Sequence, residues 1–160
     1  MAALAERVAA RFGEDLRGHT FALWGLAFKP DTDDMREAPS LAIIDALLSR
    51  GARVRAFDPA AMPKAAALMP EARGFELVDN PYAAAAGASA LLVVTEWREF
   101  RSPDLTALRA ALRTPVLFDG RNLYDPELLR SLGFEYHGIG RLGAGAKHER
   151  AEPRLQVVAA

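Results

Sequence analysis

The chain has 160 residues, 51% of them hydrophobic, which suits one folded domain with a substantial core and argues against disorder. Twenty basic and 21 acidic residues give a formal net charge of −1, so overall charge does not favour nucleic acid or an anionic membrane as the main partner. The absence of cysteine excludes disulfides, thiolate metal sites and cysteine nucleophiles within these residues. No apolar run reaches the roughly 18 residues of a membrane span. We therefore expect a cytoplasmic protein.

Strands and helices alternate along the predicted chain. Residues 3–12 have apolar side chains at helical spacing, which is equally typical of an ordinary N-terminal helix and of the end of a longer one. Apolar segments predict six strands, at 20–24, 54–57, 75–78, 90–95, 116–118 and 134–137. Helices are predicted between them at 40–50, 60–69, 82–86, 104–112 and 127–132. The dipeptides Asn80-Pro81, Ser102-Pro103 and Asp125-Pro126 are expected to open the last three.

This alternation predicts an α/β fold, a Rossmann-like doubly wound parallel sheet of about six strands with helices on both faces. The segment 90–95, ALLVVT, is almost wholly apolar, which is typical of a strand buried on both faces in the middle of such a sheet. Residues after Leu142 are rich in glycine, alanine and charge, and we expect them to be poorly ordered.

Ligands of an open parallel sheet bind at the carboxyl ends of its strands, and three loops there hold polar residues. The first, 25–39, contains a single glycine, Gly25, and therefore lacks the glycine-rich fingerprint of dinucleotide binding. Its two cations, Lys29 and Arg36, suit a phosphate, as a compact charge and a planar fork respectively. Charge alone favours the alternative, in which each pairs with a nearby acid: Asp31, Asp33, Asp34 or Glu37.

The other candidates lie at neighbouring strand ends. Asp58 follows the second strand, where an acid often binds ribose, although a helix-capping role is at least as compatible. Arg121, after the fifth strand, is expected to face the same cleft as Lys29 or to bond local carbonyl groups. Trp97 and Phe100 suit a ligand ring or, more simply, the apolar side of a short helix. The three histidines lack metal-ligand spacing, and spacing alone supports no triad or carboxylate pair, so no metal site and no catalytic residue is assigned.

Several segments strongly resemble the C-terminal domain of the UDP-glucose/GDP-mannose dehydrogenase family. They are GLAFKPDTDDMREAPS (25–40), FDPAAM (57–62), VVTEWREFRSPD (93–104), FDGRNLYDP (118–126) and GFEYHGIGR (133–141). The resemblance spans about residues 4–142, and TEWREF and DGRNLYDP are most similar to the UDP-glucose branch. It divides the chain into the end of an inter-domain dimerisation helix (1–17), a UDP-sugar-binding Rossmann-like domain (18–142) and a flexible tail (143–160).

The resemblance implies part of an NAD-dependent dehydrogenase that oxidises UDP-glucose twice, to UDP-glucuronate, with NAD and a catalytic cysteine on an N-terminal domain. By the same resemblance, Phe28, Lys29 and Arg121 contact the UDP-sugar, and Arg36 reaches across the cleft to NAD. The implied partners are UDP-glucose or a related nucleotide-sugar, the N-terminal domain of the same enzyme, and a second copy in a homodimer.

The chain has neither the cysteine nor the glycine fingerprint that this reaction needs, so we expect it to be inactive alone. The alternative is a stand-alone nucleotide-binding or regulatory module without catalysis.

Overall fold

A computed structural model describes residues 2–70 and 72–139. The helices are α1 (Ala2–Phe12), α2 (Pro39–Ser49), α3 (Met62–Leu68), α4 (Pro81–Ala85), α5 (Leu105–Ala111) and α6 (Pro126–Ser131). The strands are β1 (Thr20–Trp24), β2 (Arg53–Phe57), β3 (Phe75–Leu77), β4 (Ala90–Val93), β5 (Val116–Asp119) and β6 (Glu135–Gly138). A short 3₁₀ helix, Arg98–Phe100, precedes α5. The predicted flexible tail, 143–160, lies outside the described residues.

All six strands are parallel and form one sheet in the order β3-β2-β1-β4-β5-β6. The chain builds outward from β1 to β3, then returns to place β4 on the other side of β1. Leu23 of β1 accordingly pairs with Ala56 on one side and with Leu92 on the other. The strand order therefore reverses between β1 and β4. The Rossmann-like, doubly wound fold predicted from the sequence is confirmed.

Alternate side chains of β1 enter two hydrophobic cores, one on each face of the sheet. Phe21 and Leu23 join the core formed with α1, α2 and α3, whereas Ala22 and Trp24 join the core formed with α4, α5 and α6. Every residue of β4 is buried, as its continuous apolar sequence predicts for a central strand. The two central strands thus give the carboxyl edge of the sheet a rigid base.

The first helix packs on the sheet and is also held by charged groups. Leu4 and Val8 are fully buried. Arg11 Nε lies 2.8 Å from a carboxylate oxygen of Glu135 in β6, and Arg7 donates to the carbonyl of Gly138. We infer that α1 is an integral layer of this domain. None of the helices within residues 2–70 and 72–139 has the length and apolarity needed to cross a membrane.

The capping predictions are mostly confirmed. The side chain of Asn80 accepts a hydrogen bond from the backbone N–H of Ala83 at 2.8 Å, and Asp125 caps α6. The prediction for α5 was wrong at its start, because Asp104, and not Ser102, is the N-cap. The Asp104 carboxylate accepts from the backbone N–H of Ala107, the third residue of α5, at 3.0 Å.

Candidate functional site

The loop after β1 crosses the carboxyl edge of the sheet at the point where the strand order changes direction. Gly25 has φ +99°, in the region that glycine adopts readily. A Cβ at this position would lie 2.4 Å from Cβ of Thr95 and 2.6 Å from the Thr95 backbone nitrogen. The absence of a side chain at Gly25 therefore lets the loop after β1 touch the loop after β4.

The next two residues are held by hydrogen bonds on both sides of the backbone. The N–H groups of Leu26 and Ala27 donate to Oδ2 of Asp58 at 2.7 and 3.0 Å. The carbonyl of Leu26 accepts from the hydroxyl of Ser40 at 2.6 Å, and that of Ala27 accepts from the hydroxyl of Thr95 at 2.6 Å. All four backbone polar groups of this dipeptide are satisfied, so the two residues that follow start from a fixed support.

Asp58 is fully buried and serves as a structural anchor. Its Oδ1 accepts from the N–H groups of Ala60 and Ala61, both at 2.8 Å. Its Oδ2 also accepts from the indole Nε1–H of Trp97 at 3.0 Å. Five donors fill the roughly four lone-pair positions of a carboxylate. Of the two interpretations left open by the sequence, ribose binding does not fit, since a ribose would find no accessible oxygen. Helix capping was wrong in its strict form, because the N-cap residue of α3 is Ala61 and Asp58 bonds the N–H groups of the two residues just before that helix.

Phe28 and Lys29 leave this support together. The N–H of Phe28 donates to the carbonyl of Asp34 at 3.0 Å, and the half-buried Phe28 ring packs against the core. The ammonium of Lys29 lies 5.3 Å from the centre of that ring, within cation–π range. Lys29 is exposed, and across residues 2–70 and 72–139 no carboxylate lies within 4.0 Å of its ammonium. Charge alone favoured pairing of Lys29 with an acid of its loop, and among the described residues the structure shows no such pair.

Arg121 joins three loops at the same edge. Its Nε donates to the carbonyl of Val94 at 2.9 Å and its Nη2 to the carbonyl of Phe28 at 3.2 Å. Its backbone N–H donates to the buried Asp119 at 3.0 Å. Arg121 therefore bonds backbone carbonyls, although these belong to other loops and are not local in sequence. One of them is the carbonyl of the residue that precedes Lys29, and a cleft shared with Lys29 stays a prediction. Like Lys29, its guanidinium forms no ion pair with a carboxylate in the described part of the chain.

The third loop has its own buried support. Asp119 also accepts from the hydroxyl of Tyr136 at 2.8 Å and from the N–H of Tyr124 at 3.1 Å. Burial, with the nearby charge of Asp119, raises the pKa of Tyr124 above its ordinary value. Tyr124 therefore stays a neutral donor, which bonds the carbonyl of Phe100 and ties this loop to the 3₁₀ helix.

Arg36 differs from Lys29 and Arg121 in that it pairs with a carboxylate of its own loop. Its side chain is 89% exposed and holds the Asp34 carboxylate in a bidentate contact, with Nη2 at 2.6 Å and Nε at 3.0 Å. This contact lowers the pKa of Asp34 to about 2. Arg36 also lines a surface cleft of about 650 Å³ beside α3, together with Lys64 and Leu68. None of the three residues predicted to contact the substrate lines that cleft.

Sequence reasoning missed the residues that hold the loops in place. Ser40, Thr95 and Asp119 were not singled out, yet each is fully buried. Ser40 and Thr95 both bond carbonyls of the first loop, and Asp119 bonds the third. A signal was present, since each is a small polar residue next to an apolar segment. Buried polar groups in such positions need partners, and loop backbone supplies them.

Comparisons with known proteins place these features in a family. Residues 22–126 match the UDP binding domain of the UDP-glucose/GDP-mannose dehydrogenase family. A UDP-glucose 6-dehydrogenase of Pseudomonas aeruginosa is 58% identical over 132 residues, a match that covers 81% of this chain and 29% of that protein.

Solved structures agree. A UDP-glucose dehydrogenase from the hyperthermophilic archaeon Pyrobaculum islandicum superposes with a TM-score of 0.67 at 30% identity, over 88% of this chain and 30% of the other. An NDP-N-acetyl-D-galactosaminuronic acid dehydrogenase from Methanosarcina mazei Go1 gives 0.71 at 30% identity, over 89% and 29%. The chain thus spans less than a third of the length of these relatives. It belongs to the UDP-glucose/GDP-mannose dehydrogenase family and corresponds to the UDP-binding domain of that family.

Proposed function

We propose that the chain is the UDP-sugar-binding domain of an NAD-dependent UDP-glucose 6-dehydrogenase. One observation carries the proposal: the side chains of Lys29 and Arg121 flank Phe28 at the carboxyl edge of the sheet, and neither forms an ion pair with a described carboxylate. Cations without carboxylate partners at such an edge suit a diphosphate, whose charge they would neutralise.

The three residues divide the work by chemistry. The exposed ammonium of Lys29 supplies a compact charge for a phosphate oxygen. Arg121 is oriented by its two carbonyl contacts, through Nε and Nη2, and contributes its charge to the UDP part. The half-buried ring of Phe28 offers an apolar contact beside both cations. The support from Asp58 and Thr95 then keeps this group in place before any ligand arrives.

The turn after β1 does not fit the pyrophosphate of NAD. A dinucleotide-binding turn offers free backbone N–H groups and a helix that begins at once. Here the N–H groups of Leu26 and Ala27 are used by Asp58, and α2 begins only at Pro39. We therefore assign the main NAD site to an N-terminal domain of the same enzyme, with the exposed Arg36 as this chain's contribution.

Hydride acceptance is the chemistry that NAD supplies when bound. The chain has no cysteine to act as the nucleophile of an alcohol-to-acid oxidation. We propose that the nucleophile and NAD belong to the N-terminal domain, and that the whole enzyme is a homodimer. This chain alone should then form no NADH from UDP-glucose, and a measurable rate by the purified polypeptide would contradict the assignment.

Binding of UDP, measured by isothermal titration calorimetry, tests the site. Lys29→Ala and Arg121→Ala should each weaken UDP binding by about tenfold or more, since a charge-assisted hydrogen bond contributes about 1.5–3 kcal/mol. Lys64→Ala is the matched lysine control, because Lys64 pairs with Asp33 at 3.0 Å in the separate cleft. Arg53→Ala, at the amino end of β2, is the arginine control. Affinity losses no larger than those of the controls would refute the site.

A further inference from the structure

We propose that Asp58 is a positioning residue for the UDP site, one that fixes the loops after β1 and β4 in a single arrangement so that both face the same ligand. The inference rests on the proposed function. To the residues proposed to contact UDP it adds Asp58, which itself touches no ligand. Asp58 acts on the loop after β4 through its hydrogen bond with Trp97.

Asp58 connects loops that follow three different strands. In the sheet, β2 and β4 lie on opposite sides of β1 and do not touch each other. Asp58 directly follows β2, yet its Oδ2 accepts from Leu26 and Ala27 after β1 and from Trp97 after β4. One oxygen atom therefore connects three consecutive positions of the sheet edge across the end of β1.

Asp58 is fully buried, and no arginine, lysine or histidine nitrogen within residues 2–70 and 72–139 lies within 4.0 Å of its carboxylate. Among the described residues, its charge is compensated by N–H donors alone, and a buried carboxylate holds such donors strongly because losing one leaves charge uncompensated. The indole of Trp97 is one of these donors, so its orientation is set by this bond as well as by packing against both cores.

The segment anchored by Asp58 ends at the proposed ligand contacts. The dipeptide held by Asp58 is followed at once by Phe28, whose carbonyl accepts from Arg121. Burial raises the pKa of Glu99 in the loop after β4, and the nearby charge of Asp58 raises it further. The charge of Asp58 therefore also acts on that loop. Binding groups must be held to within about half an ångström, and a shift of this segment would move Phe28 and Lys29 together.

Asp58→Asn is the direct test, because an amide has the size of the carboxylate but only one oxygen. One of the two donor groups, either Leu26, Ala27 and Trp97 or Ala60 and Ala61, must then face another donor. We expect UDP affinity to fall about tenfold by calorimetry. We also expect the amide cross-peaks of residues 26 and 27 and the indole cross-peak of Trp97 to shift in ¹H–¹⁵N NMR spectra.

Two further variants separate positioning from stability. Trp97→Phe keeps a ring but removes the donor to Asp58, and should lower UDP affinity several-fold while residues 60 and 61 keep their cross-peaks. Asn80→Ala removes the N-cap of α4, which lies outside the three loops of the site, and should lower thermal stability without changing UDP affinity.

The outcomes are distinct. If Lys29→Ala weakens UDP binding but Asp58→Asn and Trp97→Phe do not, the positioning role is wrong and the proposed function stands. If the unmodified chain does not bind UDP, the proposed function fails. The positioning role then fails as well if the NMR changes caused by Asp58→Asn are confined to residues 60 and 61. Should Asp58→Asn fail to fold, unchanged UDP affinity in Trp97→Phe overturns the proposal.

Discussion

Gly25→Ala should be strongly destabilising, and the structure allows its two causes to be separated. The first is backbone conformation, since φ +99° costs a residue with a side chain about 1–3 kcal/mol. The second is overlap, because the new Cβ would lie 2.4 to 2.6 Å from atoms of Thr95, including its backbone nitrogen. Backbone cannot rotate away, so overpacking should add about 1–3 kcal/mol. The total of roughly 2–6 kcal/mol would lower the melting temperature by about 2–4 °C for each kcal/mol.

Gly18→Ala is the matched control. Gly18 has φ +85°, close to that of Gly25, but an added Cβ there would meet nothing within 4 Å. The free energy of unfolding of both variants, measured by urea denaturation, should therefore differ by the overlap alone. Equal losses at the two positions would refute the reasoning, because the contact between the loops after β1 and β4 would then impose no steric constraint.

Three further predictions concern single contacts. Asp34→Asn should flatten the acid limb of the stability curve: because Arg36 lowers the pKa of Asp34 from 3.8 to about 2, the pair stabilises the fold above pH 3.8, and this is lost as the pH falls towards 2. Asn80→Ala should cost about 1 kcal/mol of unfolding free energy by losing the N-cap of α4. Tyr136→Phe should cost about 1.5–3 kcal/mol, because its buried hydroxyl donates to the Asp119 carboxylate at 2.8 Å.

Neighbouring residues supply the controls for these three. Asp31→Asn is the control for Asp34→Asn, because it removes an exposed carboxylate of the same loop that forms no ion pair with the described residues. Asp79→Ala should be nearly neutral beside the cap. Tyr82→Phe should cost less than Tyr136→Phe, since its hydroxyl accepts a more exposed bond from Asp104. An Asp34→Asn curve that coincides with that of the unmodified protein down to pH 2 would contradict the pKa argument.

Elements whose burial depends on local pattern were predictable. Leu91 to Val93 are apolar without interruption, and this pattern requires cover on both faces wherever the strand lies in the sheet. Asn80 and Asp125 are cap residues whose partners lie within three positions, so their roles follow from the sequence. The N-cap of α5 is Asp104 and not Ser102. Both residue types favour this position and they stand close together, so only the actual start of the helix distinguishes them.

The arrangement of the site depends on contacts that no spacing encodes. The donors to Asp58 Oδ2 lie 31, 32 and 39 residues away in sequence, and only the strand order brings them together. Lys29 and Arg36 have similar acidic neighbours, yet the folded loop pairs only Arg36. Similar local charge therefore led to one interpretation for both residues, whereas the tertiary structure gives them different environments.

The carboxylate of Asp58 has a consequence for how this domain responds to nucleotides. It occupies the amides that a dinucleotide-binding turn keeps for a ligand, so the protein supplies its own acceptor there. The turn should be fully assembled in the empty protein, and folding should not depend on nucleotide supply. A nucleotide that binds through Lys29 and Arg121 would then raise the melting temperature only by mass action. Redesign of this turn to accept a dinucleotide would have to begin by removing the carboxylate already in place.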